Sequence, residues 1–161
     1  MPIFIVLSLA LLALDQWVKF WSVQNLALGE FRNFIPGVLQ LYLTYNTGAA
    51  WSLLSGAALP LAILRLLVGL GLLAYMVRDR HKLSRTLQFT LALIAAGAIG
   101  NAIDGLRLGK VVDMFYSHQL SAVSKALGGG EFPIFNVADS CVVVGVILLI
   151  VLNLLPHRRK L

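Results

Sequence analysis

The sequence predicts an α-helical membrane protein with four transmembrane helices, a small β-rich segment outside the membrane and a mobile outer loop. Of its 161 residues, 59% are hydrophobic and only 12% are charged, whereas a soluble domain carries about 25% charged residues. The apolar residues also gather into runs of about 20, the length that crosses the hydrocarbon core as a helix. We therefore treat residues 1–161 as one integral-membrane domain.

Four apolar runs are long enough to span a bilayer, at about 3–23, 58–77, 87–106 and 134–155. The first run resembles a secretory signal in its position. However, residues 1–14 contain neither Lys nor Arg, and three more spans follow it. We therefore expect the first run to be retained as a membrane helix.

Two basic blocks predict the orientation of these spans. Arg78 to Arg85 lies between the second and third spans, and Arg158 to Lys160 follows the fourth. The positive-inside rule places both blocks, and both termini, on the cytoplasmic side. Since the blocks adjoin apolar runs without interleaved aromatic residues, the net charge of +6 does not indicate nucleic-acid binding.

The two outer segments, 24–57 and 107–133, carry different patterns. The stretch LQLYLTYN, residues 39–46, alternates apolar and polar side chains and predicts a strand resting on the outer membrane surface. Thr47-Gly48 then predicts a turn. The glycine run Gly128 to Gly130 predicts a mobile loop over about 116–133.

In this topology the polar residues of all four spans lie at one depth, near the outer boundary. Ionisable groups inside a membrane are costly and usually functional. The residues at this depth are Asp15, Lys19, Arg65, Asn101, Asp104, Asp113, Asn136 and Asp139. Their shared depth predicts a functional site near the outer face.

Several of these residues also have a purely structural interpretation. Asp15 and Lys19 are four residues apart and can pair on one helix face. Asn101 and Asp104 adjoin a stripe of small residues, which lets helices approach closely in lipid. Asn136 can cap the start of a helix. These alternatives stay open on the sequence alone.

Asp113 and Asp139 are harder to explain structurally. VVDMF and FNVAD each place a carboxylate among apolar residues, and no basic residue lies within one helical turn of Asp139. Two neighbouring carboxylates cannot both ionise at low cost, so the pKa of one rises and the pair shares a proton. Aspartic proteases use such a pair to activate water. The hypothesis is a proteolytic dyad, with a structural or proton-relay role as the alternative.

Metal chemistry has little support in the sequence. The histidines, at 81, 118 and 157, show no ligand spacing. Cys141, the single cysteine, lies in an apolar run and is interpreted as a packing residue. We expect neither a metal site nor a disulfide.

Five blocks resemble the lipoprotein signal peptidase family, also called signal peptidase II, over nearly the whole chain. They are DQWVK (15–19), YNTGAAWS (45–52), GAIGNAID (97–104), VVDMF (111–115) and FNVADS (135–140). The resemblance implies a bacterial inner-membrane aspartic endopeptidase that acts near the extracytoplasmic face. Its implied reaction removes the signal peptide of a prolipoprotein by cutting before a cysteine that carries a diacylglyceryl group.

The resemblance also implies a role for each site residue. Asp113 and Asp139 would form the catalytic dyad. The residues implied to shape the site and hold substrate backbone are Asn46, Gly48, Asn101, Asp104 and Asn136, with Asp15 and Lys19 in support. It implies no cofactor, a diacylglyceryl-modified prolipoprotein and membrane lipid as partners, and a site complete within one chain, which would act as a monomer.

The chain departs from the family pattern in three places. Gly105 stands where the family usually has arginine, and Arg107 and Arg65 are both candidates to replace that guanidinium. The stretch between Asp113 and Asp139 is longer than usual, which implies a larger flap over the cleft. Trp51 replaces the usual phenylalanine of its block.

Two other functions could use the same residues. A proton-coupled transporter would also bury carboxylates, but it would more naturally show repeated halves or broken helices at mid-membrane depth. A non-catalytic assembly subunit would use the small-residue stripe and polar contacts alone. That function gives no reason for two unpaired carboxylates at one level.

Overall fold

The computed structural model describes residues 2–48 and 56–154. Its helices are α1 (Pro2–Asn25), α2 (Ala58–Arg78), α3 (Arg85–Leu108), α4 (His118–Ala126) and α5 (Val137–Leu154), and its strands are β1 (Phe31–Ile35), β2 (Leu39–Asn46) and β3 (Val111–Tyr116). Trp51, the residues of YNTGAAWS after Gly48 and the basic block 158–160 lie outside the described residues.

The four predicted spans are confirmed as α1, α2, α3 and α5, which are long and apolar enough to cross a membrane. The largest difference from the prediction is at α5, which begins at Val137 rather than at 134. The chain is still extended at Phe135, which forms an antiparallel bridge with Phe115 of β3. The last helix therefore begins only after the chain has left the sheet.

The third helix lies at the centre of the bundle. Within the apolar window of α3, 78% of the residues are buried, against 17% in each of the other three spans. Glycines permit its close contacts, because a Cβ built on Gly97 would lie 2.3 Å from the Ala138 carbonyl oxygen of α5. A Cβ on Gly69 of α2 would lie 2.5 Å from Ile99. Small residues at such positions let membrane helices pack backbone to backbone.

The three strands form one antiparallel sheet in the order β1-β2-β3. The predicted strand at 39–46 is confirmed with the same bounds. Leu43 of β2 packs with Val112 and Met114 of β3, and Val18 and Leu26 cover this cluster from the α1 side. The sheet is thus fixed to the end of the helix bundle by its apolar face.

The segment predicted as a mobile loop contains a helix. Ser117 caps α4 by accepting a hydrogen bond from the Leu120 backbone N–H at 3.3 Å, and Gly128 follows the helix with a φ of +83°. Lys125, in the last turn of α4, forms an ion pair with Glu131. The mobility of this segment stays a prediction.

The alternating direction of the spans separates two ends of the molecule. The sheet and α4 follow the ends of α1 and α3 and precede α2 and α5. The turn between α2 and α3, residues 79–84, lies at the other end with the start of α1. Which end faces the cytoplasm stays a prediction from the basic blocks.

Candidate active site

A cluster of buried polar side chains lies where β3, the sheet-side ends of α1 and α3, and the first turn of α5 meet. It brings together every carboxylate that the sequence placed at the outer boundary. Its most buried members are Asp15, Lys19, Asn101, Asp104, Asp113 and Asn136, all at most 6% exposed. Convergence of these groups in the membrane plane, which the sequence left as an inference, is observed.

Asn136 joins the two aspartates of the predicted dyad. Its side-chain amide Nδ2 donates to Oδ1 of Asp113 at 2.7 Å. Its backbone N–H donates to Oδ2 of Asp139 at 3.2 Å. A single residue therefore hydrogen-bonds to one oxygen of each carboxylate and links the two.

The local sequence Asn-Val-Ala-Asp explains how Asp139 is positioned. Oδ1 of Asn136 accepts from the Asp139 backbone N–H at 2.8 Å, while the Asp139 side chain accepts from the Asn136 backbone N–H. This reciprocal pair is a capping box, which satisfies N–H groups at a helix start. Asp15 completes the cap, because its Oδ1 accepts from the Ala138 N–H at 2.8 Å. The predicted capping role of Asn136 is thus observed together with its contact to the dyad.

Asp113 lies on β3 between the buried side chains Val112 and Met114, and is itself only 2% exposed. Burial, followed by the nearby Asp139 carboxylate, raises the pKa of Asp113 from 3.8 to about 7. Hydrogen bonds from the side chains of Asn136 and Asn46 act in the opposite direction by favouring the ionised form. Near neutral pH, Asp113 therefore exists in both protonation states.

Lys19 supplies the positive charge at the base of the cluster. Its Nζ lies 2.9 Å from Asp15 and 3.0 Å from Asp104, and it donates to Oδ1 of Asn101 at 2.8 Å. The predicted Asp15–Lys19 ion pair is observed, and Lys19 also forms an ion pair with Asp104. Because an ammonium can only donate, it directs the Asn101 oxygen toward itself and the Asn101 Nδ2 toward Oδ1 of Asp139, 2.7 Å away.

Asp104 holds the start of β3 beside the dyad. Its Oδ2 accepts from the Val112 backbone N–H at 3.1 Å, one residue before Asp113. Its Oδ1 accepts from Nε2 of Gln16 at 3.1 Å, and the same amide donates to the Gly100 carbonyl. Sequence reasoning did not single out Gln16, although a polar amide beside Asp15 in an apolar span is the signal that could have identified it.

Asn46 and Gly48 lie at the end of β2 beside the cleft. Oδ1 of Asn46 accepts from the Gly48 backbone N–H at 2.9 Å, which forms the predicted turn. Nη2 of Arg65, from α2, donates to the Gly48 carbonyl at 3.3 Å. Of the two candidate arginines, Arg65 reaches this segment, whereas Arg107 is exposed in the last turn of α3.

Gly105 is explained by helix packing. A Cβ at this position would lie 2.7 Å from the Ala62 Cβ of α2. A longer side chain would therefore require α2 to move away from α3. Glycine at position 105, where the resemblance implies arginine, thus permits the close contact between the two helices.

A cleft of about 490 Å³ opens beside Asp113, between the sheet and residues 131–134. Aromatic side chains line much of it, among them Phe31, Tyr42, Tyr116 and Phe132. Within residues 2–48 and 56–154, no cluster of three His, Cys, Asp or Glu side chains has the geometry to hold a metal ion. The chemistry that this site offers is proton transfer by two carboxyl groups, of which Asp113 lines the aromatic cleft.

Comparison with known proteins gives consistent matches over most of the chain. The family model for signal peptidase (SPase) II matches residues 7–155. A lipoprotein signal peptidase of Deinococcus radiodurans is 55% identical over 156 residues, covering 96% of this chain and 81% of that protein. One from Enterococcus faecalis is 41% identical over 156 residues, covering 97% and 90%.

A solved structure has the same fold. A bacterial membrane enzyme determined by the in meso method at 2.3 Å resolution superposes with a TM-score of 0.84 at 30% identity. The match covers 100% of this chain and 93% of that one. The four-helix architecture with its small sheet is therefore shared with an experimentally determined membrane enzyme.

Proposed function

The chain belongs to the signal peptidase II family, and we propose that it is an aspartic endopeptidase whose catalytic pair is Asp113 and Asp139. Family membership makes it a peptidase of the multi-pass membrane type. The name of its relatives, lipoprotein signal peptidase, makes prolipoprotein signal peptides its substrate class. The dyad mechanism is our inference from the site.

One observation carries the dyad proposal. Asn136 donates a hydrogen bond to each of the two carboxylates, and one of them lines the cleft. The raised pKa of Asp113, caused by burial and by Asp139, fits a pair that shares one proton at neutral pH. A purely structural pair would need neither the cleft nor the shared proton.

The proposed reaction begins with one carboxylate ionised and the other protonated. The ionised group takes a proton from water as the water oxygen attacks the scissile carbonyl carbon, and the protonated group gives its proton to the carbonyl oxygen. The resulting gem-diol collapses to the carboxyl product. The C–N bond breaks as the carboxyl that took the proton from water gives it to the amide nitrogen. In the same step the other carboxylate takes a hydroxyl proton from the gem-diol, which leaves one proton on the pair as at the start.

The surrounding residues have supporting roles in this proposal. Asn46 is the last residue of the strand that borders the cleft, and Gly48 lies in the turn that it holds, so we place extended substrate backbone beside them. Asn101 orients Asp139, while Asp104 holds the strand that carries Asp113. We assign Arg65 rather than Arg107 to the place of the family arginine, because Arg65 contacts the Gly48 carbonyl.

The substrate proposal rests on the family and on the depth of the site. A signal helix bearing a diacylglyceryl-modified cysteine would present its scissile bond at the end of the bundle that carries the sheet. We place this end outside the cytoplasm, in the bacterial inner membrane, because the basic turn between α2 and α3 lies at the other end. The exposed apolar faces of α1, α2 and α5 contact membrane lipid, and one chain without cofactor suffices.

The proposal is tested with purified protein and a diacylglyceryl-modified prolipoprotein. Signal-peptide release is followed for the wild type, Asp113→Asn and Asp139→Asn, with Asp79→Asn as a matched control. Asp79 lies at the opposite end of the bundle, paired with Lys82. We expect release by the wild type and the control, and a loss of about 10²-fold or more in both dyad variants.

Full release by a folded Asp113→Asn or Asp139→Asn protein would overturn the dyad. If the wild-type protein cleaves a precursor without the diacylglyceryl group as fast as the modified precursor, the lipid requirement is overturned. Circular dichroism and gel filtration establish that each variant is folded.

A further inference from the structure

A second cavity lies at the end of the bundle away from the carboxylate cluster. It has a volume of about 530 Å³, and its lining includes Pro2 and Ile5 of α1, Arg80 and His81 of the α2–α3 turn, and Gln88 of α3. One wall is therefore apolar and the other basic. The proposed peptidase reaction uses none of these residues.

The turn that carries the basic wall is held in a defined conformation. Gln88 is only 6% exposed, and its Nε2 donates to the carbonyls of Arg80 at 3.3 Å and of Leu83 at 2.9 Å. Within the turn, the Lys82 backbone N–H donates to the Asp79 carbonyl at 2.8 Å. Arg80 and His81 thus extend from an ordered scaffold rather than from a free loop.

The chain segment that carries Arg80, His81 and Gln88 has an excess of positive charge. Residues 78–88 contain four Lys or Arg residues and one acid, Asp79, which forms an ion pair with Lys82 at 2.7 Å. Nε of Arg80 donates to Nε2 of His81 at 3.0 Å. With Nε2 as the acceptor, a neutral imidazole carries its hydrogen on Nδ1. Both side chains therefore bring N–H donors to the cavity wall.

The side chain of Gln88 has a hydrogen-bond acceptor, Oε1, in addition to its amide nitrogen. Both of its bonds to the turn use the amide nitrogen, and its buried Oε1 has no hydrogen-bond partner among the described residues. Since this oxygen is buried, the side chain of Gln88 acts on the cavity by holding the turn through its amide nitrogen. The cavity wall thus combines N–H donors for an anion with an apolar face.

We propose that this cavity binds the headgroup of an anionic glycerophospholipid. The phosphate lies against Arg80 and His81, and the acyl chains run along Pro2 and Ile5. Basic pockets between membrane helices on the positively charged side of a protein are suited to such headgroups. An amphipathic lipid also matches the apolar wall, which a free phosphate ion leaves unused.

The test measures lipid binding by native mass spectrometry on the full chain, released from an uncharged detergent. Phosphatidylglycerol is compared with phosphatidylcholine of the same acyl chains, and with inorganic phosphate. Arg80→Gln and His81→Gln remove lining groups. Arg85→Gln is the matched control, because it removes one charge from the same basic block but does not line the cavity.

We expect phosphatidylglycerol to bind more tightly than phosphatidylcholine, and Arg80→Gln to weaken its binding about fivefold, the contribution of one basic residue near an anionic surface. Arg85→Gln should stay close to the wild type. Equal loss in both arginine variants would mean diffuse attraction and would overturn the site. Equal binding of the two lipids would also overturn it, and so would inorganic phosphate that displaces phosphatidylglycerol from the cavity. If Arg80→Gln does not fold, His81→Gln decides between the same outcomes.

Discussion

The ammonium of Lys19 lies 2.8 Å from the side-chain oxygen of Asn101, and this contact determines which end of the amide faces Asp139. A rotated Asn101 would turn its oxygen toward the carboxylate and replace a hydrogen bond with repulsion. The buried cation of α1 therefore acts on the dyad through the asparagine of α3.

Replacing Lys19 with Met should remove the contact that orients the Asn101 amide. It also leaves Asp15 and Asp104 buried without their cation, and breaking a buried ion pair destabilises a protein by about 3–5 kcal/mol. We expect a lower thermal midpoint and almost no signal-peptide release. Lys82→Met breaks an ion pair whose lysine is largely exposed and should change neither quantity. Wild-type activity in a folded Lys19→Met protein would contradict the orienting role.

Asn136→Ala should impair both the helix cap and the dyad. Loss of an N-cap side chain costs about 0.5–2 kcal/mol, and Asp113 loses a hydrogen bond of 2.7 Å. Activity should fall about 10²-fold, further than the stability loss explains. Asn153→Ala, which removes an exposed amide bonded to the Leu149 carbonyl, is the control for chemical denaturation and for the cleavage assay.

The pKa of Asp113 predicts a pH-dependent stability. Because its folded-state pKa of about 7 lies above the ordinary 3.8, the folded state binds the proton more tightly than the unfolded state does. The stabilisation from Asp113 is thus complete below about pH 4, falls as the pH rises toward 7 and is absent above it. It is on the order of a few kcal/mol.

Comparison with Asp113→Asn isolates this effect. The difference in unfolding free energy between the wild type and the variant should change between pH 4 and 7, in the sense that the wild type loses stability relative to the variant. The measurement is a denaturation series in a constant detergent. A difference that is independent of pH would show that the carboxyl of Asp113 titrates at its ordinary value.

Gly100→Ala tests the close contact between α3 and the polar cluster. A Cβ on Gly100 would lie 2.6 Å from Oδ2 of Asp15, the oxygen that pairs with Lys19. Overpacking of this kind destabilises by about 1–3 kcal/mol, and the displaced carboxylate should also lower activity. Gly71→Ala is the matched control, because the Cβ built there has no described atom within 4 Å other than its chain neighbours and the backbone of its own helix. Equal melting temperatures for the two variants would refute the contact.

The two candidate arginines are separated by Arg65→Gln and Arg107→Gln. Loss of the Arg65 hydrogen bond to the Gly48 carbonyl should lower kcat/KM about tenfold, because the strand end beside the cleft loses its support. Arg107→Gln should retain wild-type kinetics. The opposite ranking would assign the missing guanidinium to Arg107.

The four spans were predictable because membrane helices follow from length and hydropathy alone. The strand at 39–46 followed from its alternation, of which Leu41 and Leu43 form the buried half. β3 was missed because Val111, Val112, Asp113 and Met114 are all buried, so no alternation marks them as a strand. β1 was missed for the opposite reason, since all five of its residues are exposed.

The sequence predicted the membrane depth of the candidate site, but not the contacts between its residues. Topology placed the carboxylates at one level, but the pairing of Thr44 with Asp113 across β2 and β3 is a long-range contact that no local pattern encodes. The double role of Asn136, as helix cap and as a bridge between two carboxylates, likewise required the position of β3. The catalytic roles of Asp113 and Asp139 stay predictions.

The capping box at the start of α5 has a consequence for inhibition. The carboxylate of Asp139 both faces the proposed reaction and completes the N-terminal cap of a membrane helix. An inhibitor that hydrogen-bonds to Asp139 and Asn136 therefore contacts groups that the protein cannot replace without weakening its own last helix. Resistance should arise instead from substitutions in the cleft walls, at positions such as Tyr42 and Phe132, where the side chains serve no cap.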